Sequence, residues 1–310
     1  MLDFRIETFL AVCGTMNLTR AAEQLHLTQP AVSQHIRALE EQYQAKLFRY
    51  EGKRLSLTEA GQILLQAAAT MRHDVNHLKK AIRQLSSRRN LRFGATLTIG
   101  EYSMPGPLLR ILNKEPDIGL SMTMSNTAQL LRLLDQGDID FAIVEGFYEK
   151  QAYDSLLYRR ERYLPVCAPG CSLALGERKL EDLLHERLLI REPGSGTREV
   201  LERALEERNL TLRDFHRLTE LGSLNVIKSL VCAGAGIAFF YEPAVAEELK
   251  SGKLREIPLR DLSLAHDFSF LWRKNSVFGS FYREMFRLFQ PEESSRSPGK
   301  PASRPGRRER

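Results

Sequence analysis

The sequence predicts a chain in two parts: an all-α N-terminal unit ending in a small hairpin, then a long helix leading into an α/β unit of two similar halves. Three observations carry this. The first sixty residues show helical periodicity punctuated by capping residues, and the stretch after Gly61 runs to Asn90 without Pro or Gly. From Leu91 onward, short apolar runs of strand length alternate with helical ones. At 310 residues the chain has room for two or three cores.

Phe4, Ile6, Phe9, Leu10 and Val12 give the first helix. Asn17 and Thr19 supply capping side chains for a short second helix through Leu25, slim enough at Ala21 and Ala22 for a close crossing. His26 and Leu27 turn the chain. Thr28 then suits an N-cap, and Pro30 falls in the first turn of a third helix, where its missing N–H costs little. Val32, Ile36 and Leu39 share the inner face of that helix, leaving Pro30, Ser33, Gln34 and Arg37 outward. A short polar helix of this kind fits the major groove, where Gln pairs with adenine edges and Arg with guanine edges or phosphate. Lys53 and Arg54, between Leu47-Phe48 and Leu55–Thr58, read as a wing hairpin reaching backbone phosphate.

The residues Phe9, Thr19–Ala22, Leu25, Thr28–Ser33, Ile36, Leu39-Glu40, Leu47-Phe48 and Leu57–Gly61 together resemble the DNA-binding domain of LysR-type transcription regulators. The likeness is dense over about sixty residues. It implies that Thr28, Gln29, Pro30, Ser33 and Arg37 approach DNA, with Lys53 and Arg54 in the wing. It implies, further, a homodimer that pairs into tetramers on double-stranded promoter DNA and engages RNA polymerase. Two positions depart from the family pattern: Gln44 stands where a glycine is usual, and Tyr50, beside Arg49, where an arginine is usual.

In the long helix, Leu64, Ala68, Met71, Val75, Leu78, Ile82 and Leu85 recur at alternating spacings of four and three, the a/d seam of a coiled-coil contact. A stripe of this length has no home inside a small domain, so it predicts pairing with a second copy. His73 and His77 sit at i, i+4, a spacing that can hold a metal; both lie off the seam, and a solvated helix face accounts for them more simply. No metal or other cofactor is expected.

The second part alternates strand and helix. Leu91–Ile99, Leu120–Met124 and Ile139–Val144 read as strands, with helices at Met104–Leu112 and Ala128–Asp135, an order that implies a parallel sheet. The pattern restarts at Tyr163–Val166 and continues through Leu188–Ile190, Val200–Arg208 and Ile237–Tyr241 to Phe268–Trp272 and a helix at Phe278–Phe289. The order resembles the effector domain of the same family, itself related to periplasmic solute-binding proteins. The fold expected is thus an N-terminal all-α winged helix-turn-helix plus long linker helix, then an α/β effector domain of two Rossmann-like subdomains. The expected boundaries are 1–58 for the winged helix-turn-helix, 59–90 for the linker and 91–290 for the effector domain. Within the last, 91–162 and 267–290 form one subdomain and 163–266 the other.

Four segments end near the expected cleft with small hydroxyls or bare amides: Thr96 and Thr98, Asn126 and Thr127, Ser195–Thr197, and Ser223. Ligands of such sheets settle at the carboxyl ends of the strands. Hydroxyls and a helix start around Ser195, Gly196 and Thr197, with Arg198 near, suit an anion, and the expected effector is a sulfur oxyanion or a small carboxylate.

Composition excludes several classes. The chain is 43% hydrophobic with a net charge of +6, but residues 291–310 hold six cationic side chains against three carboxylates, so half of that charge sits in a Pro/Ser/Arg tail expected to be disordered. No apolar run approaches the roughly 20 residues of a membrane span, residues 1–25 lack a secretory pattern, and four scattered cysteines do not make a disulfide framework. These features read as cytoplasmic. A hydrolase built on Ser195, His216 and Asp214 lacks the G-x-S-x-G elbow, and no Walker or H-E-x-x-H motif occurs, so no enzyme is expected. Cys167 and Cys171 bracket a turn; they read as small core residues, with a thiol switch as the alternative.

Overall fold

The computed structural model describes residues 3–52, 54–84 and 90–290. Lys53, Leu85 and the tail therefore lie outside the described residues.

The first three helices are α1 (Phe4–Thr15), α2 (Leu18–Leu25) and α3 (Gln29–Tyr43). Each starts where a short polar side chain caps it: Asp3 accepts from Arg5 N, Asn17 from Thr19 N and Arg20 N, and Thr28 from Ala31 N. Phe9, Val12, Ala21, Ala22, Val32, Ile36, Leu39 and Leu47 close one core between them. Strands β1 (Phe48–Glu51) and β2 (Arg54–Leu57) pair antiparallel as the wing. Gly61 is required at the wing's base, because a Cβ there would lie 2.1 Å from Leu47 O.

Helix α3 ends on Gln44 at φ 51° and ψ 35°, the left-handed region that glycine enters freely and other residues enter at a cost. Gln44→Gly is therefore expected to stabilise the protein by about 0.5–1 kcal/mol, the relief of strain being partly offset by a freer unfolded chain. A urea midpoint that stays put or falls would show that the turn carries no such strain.

Helix α4 (Glu59–Gln84) is the long connector, and it has three faces. Leu64, Leu65 and Ala68 pack into the winged-helix core, Ala68 being 1% exposed. This corrects the seam read from spacing, which placed Leu64 and Ala68 against a partner; periodicity finds an apolar stripe but not which neighbour it meets. The stripe left outward is Ile63, Met71, Leu78 and Ile82, each between 48% and 67% exposed, with Val75 half-buried between them.

The third face docks on the α/β part, and here the reading of His73 and His77 as solvated is also corrected. His73 is 1% exposed, with Nε2 3.3 Å from Asp140 O, and His77 Nδ1 lies 3.2 Å from the Asp140 carboxylate. The rings of Phe278, Phe281 and Tyr282 pack around His77 in tilted and edge-on contacts. Arg72, Asn76 and Lys80 donate to the carbonyls of Asp135, Gln136 and Gly137, which locks the connector to one subdomain.

That subdomain begins with β3 (Asn90–Ala95), α5 (Pro105–Lys114), β4 (Gly119–Met124), α6 (Thr127–Gln136) and β5 (Phe141–Val144). β3 pairs parallel with both β4 and β5, as the alternation predicts. A π-helical turn at Ile99–Ser103 follows β3. The long β6 (Tyr153–Cys167) then crosses to the second subdomain: β7 (Arg187–Ile190), α7 (Gly196–Glu206), β8 (Arg217–Glu220), α8 (Leu224–Cys232), β9 (Ala238–Tyr241), α9 (Glu242–Ser251) and β10 (Arg255–Glu256). β11 (Leu264–Arg273) runs back antiparallel along β6, and α10 (Gly279–Phe289) closes the first subdomain. The strand order β10-β6-β11-β5-β3-β4, with β9 beside β6, makes the two crossing strands the only sheet continuity between the lobes among the described residues. The residues just past β3 and β5 and the start of α7 meet between the lobes, where Thr96 and Thr197 both donate to Glu145.

Candidate functional site

Two regions carry chemistry. On the outer side of α3, Gln29, Pro30, Gln34 and Arg37 are exposed and Ser33 is half-buried, all turned from the core that Val32, Ile36 and Leu39 enter. Gln29 Nε2 donates to Ser33 Oγ at 2.9 Å, which orders the start of the row. Thr28 is spent on capping, its Oγ1 3.4 Å from Ala31 N, so its outward contribution is a helix start. Among the described residues no carboxylate pairs with Arg37, and Arg54 is exposed on the wing strand.

The second region is the gap between the lobes. The structure brings Thr96, Thr98, Asn126, Thr127, Ser195, Gly196 and Thr197 together and leaves Ser223 at the start of α8, where its Oγ accepts from Val226 N. Asn126 caps α6 by accepting from Gln129 N, and lies beside Gly194 of the facing loop. At the centre is a residue to which sequence reasoning gave no role. Glu145, just past β5 and 1% exposed, accepts from Thr96 Oγ1 at 2.9 Å, Thr197 Oγ1 at 2.8 Å and Thr98 Oγ1 at 3.4 Å. Burial raises its pKa; Thr197, Thr96, the charge of Arg191 and Thr98 oppose that.

The three hydroxyls on which an oxyanion or small carboxylate is expected donate here to the chain's own carboxylate. Arg198 is likewise committed to Glu202 and Glu220, at 2.8 and 2.6 Å. The signal that could have found Glu145 was its position: a charged residue ending an apolar strand at the edge where ligands settle.

The two lobes touch backbone to backbone here. A Cβ on Gly196 would lie 2.7 Å from both Cα and N of Gly146. Gly196 opens α7, where alanine would otherwise favour the helix by up to ~1 kcal/mol. With the lobes closed, Gly196→Ala is expected to destabilise the protein by about 1–3 kcal/mol through that overlap. A stabilising effect in a denaturation series would mean that the lobes stand apart in solution.

Neither a hydrolase nor a thiol switch is favoured. Asp214 accepts from Thr211 N and Oγ1 and so is not free to orient a histidine for Ser195, which is 2% exposed. Cys167 is buried; burial and the neighbouring Cys171 push its thiol up to about 12, which disfavours the thiolate that thiol exchange needs. Among the described residues no cluster of His, Cys, Asp or Glu could hold a metal, and no helix is long and apolar enough to cross a membrane.

A winged helix-turn-helix joined through one helix to a two-lobed α/β domain defines a DNA-binding regulator that answers to a small-molecule effector. Residues 5–62 match the family described as bacterial regulatory helix-turn-helix protein, lysR family, and residues 85–292 match the LysR substrate binding domain. The chain belongs to the LysR family of transcription regulators and is not an enzyme. It is 32% identical over 268 residues to the regulator CbbR of Rhodospirillum rubrum, covering 85% of this chain and 87% of that one. It is 30% identical over 275 residues to the transcriptional activator CmpR of Synechocystis sp., covering 87% and 89%. The crystal structure of ArgP from Mycobacterium tuberculosis shares the fold, with a TM-score of 0.61 at 19% identity over 94% of this chain and 98% of that one.

Proposed function

We propose that this LysR-family chain binds an inverted-repeat operator as a homodimer, reading bases with Ser33, Gln34 and Arg37 and holding flanking phosphates with the wing. The observation that carries this reading is the outward row on α3: Gln34 and Arg37 exposed and Ser33 half-buried, all turned from the protein's own core. The exposed stripe Ile63, Met71, Leu78 and Ile82 supports pairing through α4. Promoter DNA in the cytoplasm is the partner, and the family supports dimers pairing into tetramers and engaging RNA polymerase. A small molecule entering between the lobes reaches the DNA through α4, since His77 and Lys80 clasp Asp140 at the start of β5. Selection from a random duplex pool by the full-length protein tests this. Enrichment of two half-sites in inverted orientation is expected; a pool that yields no shared sequence would refute it.

A further inference from the structure

Glu145 is held as a guest rather than displayed as an anchor. A carboxylate has about four lone-pair sites, and three of those on Glu145 are filled by hydroxyls of both lobes, Thr96 and Thr98 on one side and Thr197 in the first turn of α7 on the other. Its side chain also lies against the first turn of α7, with Cγ 3.0 Å from where a Gly196 Cβ would stand. A helix start, small hydroxyls and the carboxyl ends of strands together make the position an anion takes in such a fold. Two more buried oxygens nearby, Thr127 Oγ1 and Tyr241 Oη, have no hydrogen-bond partner among the described residues, so the pocket offers polar capacity beyond Glu145.

We propose that Glu145 is a tethered anion: its carboxylate fills, from within the chain, the place of a small free carboxylate or oxyanion and joins the two lobes through Thr197. Small anions then have no site in the wild-type cleft, and removing the side chain opens one of matching chemistry. The regulatory meaning of this arrangement rests on the cleft being the effector site proposed above; the anion site itself does not.

The test is thermal unfolding of the full-length protein in sodium acetate or formate, against sodium chloride at equal ionic strength. Glu145→Ala is expected to show a saturable rise of about 3–6 °C at anion concentrations ten or more times Kd. Wild type, Glu145→Gln and the double variant Glu145→Ala/Thr197→Val are expected to show none. A Glu145→Ala protein indifferent to both anions would overturn the proposal. So would a rise in wild type that disappears in Thr197→Val, an arm that stands even if Glu145→Ala does not fold. Operator affinity measured on the same samples separates the two readings: acetate binding with unchanged affinity keeps the tethered anion and removes the cleft's regulatory role.

Discussion

Arg37→Ala weakens operator binding by about 1–3 kcal/mol, a loss of roughly 5- to 150-fold in Kd, if the guanidinium reads a base edge. The side chain is the last of the outward row of α3, and among the described residues no carboxylate competes for it. Its removal leaves the winged-helix core intact, since Val32, Ile36 and Leu39 do the packing on the opposite face. The variant should therefore unfold at the wild-type denaturant concentration while losing affinity. Fluorescence anisotropy at several salt concentrations separates the two roles open to an arginine. Loss of sequence preference at one base marks a base contact, whereas a uniform loss with a salt slope reduced by about one marks a phosphate. Unchanged titrations would remove Arg37 from the reading surface altogether.

The larger effect belongs to the dimer seam proposed on α4. Leu78 and Ile82 are 48% and 58% exposed and make no part of the chain's own cores, so charges there should not unfold the chain. In a dimer built on α4 each would be buried. Leu78→Glu with Ile82→Glu changes four positions per dimer, each worth about 1.5 kcal/mol or more in lost apolar burial. The sum, roughly 6 kcal/mol, is more than four decades in the dissociation constant even before the cost of burying carboxylates. Sedimentation velocity at micromolar concentration is expected to show a folded monomer that binds operator far more weakly than wild type. A dimer of wild-type strength would place the interface elsewhere on the molecule.

How much of this was legible in the sequence depended on how local each cause is. The starts of α2 and α3 could be placed because Asn17, Thr28 and Pro30 act within one turn of where they sit. The parallel order of β3, β4 and β5 followed from apolar runs separated by helical ones. The first ten residues of β6 were not legible, because Tyr153–Arg162 shows no clean apolar alternation, with Leu157 exposed and Glu161 buried, and is held as a strand by its ladder to β11. The same limit divided the α4 helix. Spacing revealed an apolar stripe, yet Leu64 and Ala68 turn to the winged-helix core and His73 to Tyr282, contacts that only the folded chain defines.

The hydroxyls of the cleft were visible in the sequence, but not the carboxylate within the chain to which they donate. Thr96, Thr98 and Thr197 are small hydroxyl residues following strands, a pattern visible one segment at a time. Their shared partner, Glu145, lies 47 to 52 residues away along the chain, and no local rule links a carboxylate to hydroxyls at that separation. Gln44 shows the converse case: a residue without turn preference in the left-handed region, kept there because the carbonyls of Glu40 and Glu41 both receive its backbone N–H.

The most direct test of the whole account is the stoichiometry of the full-length protein on its selected operator, measured by sedimentation on duplexes with both half-sites intact or with one scrambled. Two chains per intact operator, or four where dimers pair, with affinity collapsing when one half-site is lost, is the predicted result. A single chain bound at full affinity to either duplex would contradict it.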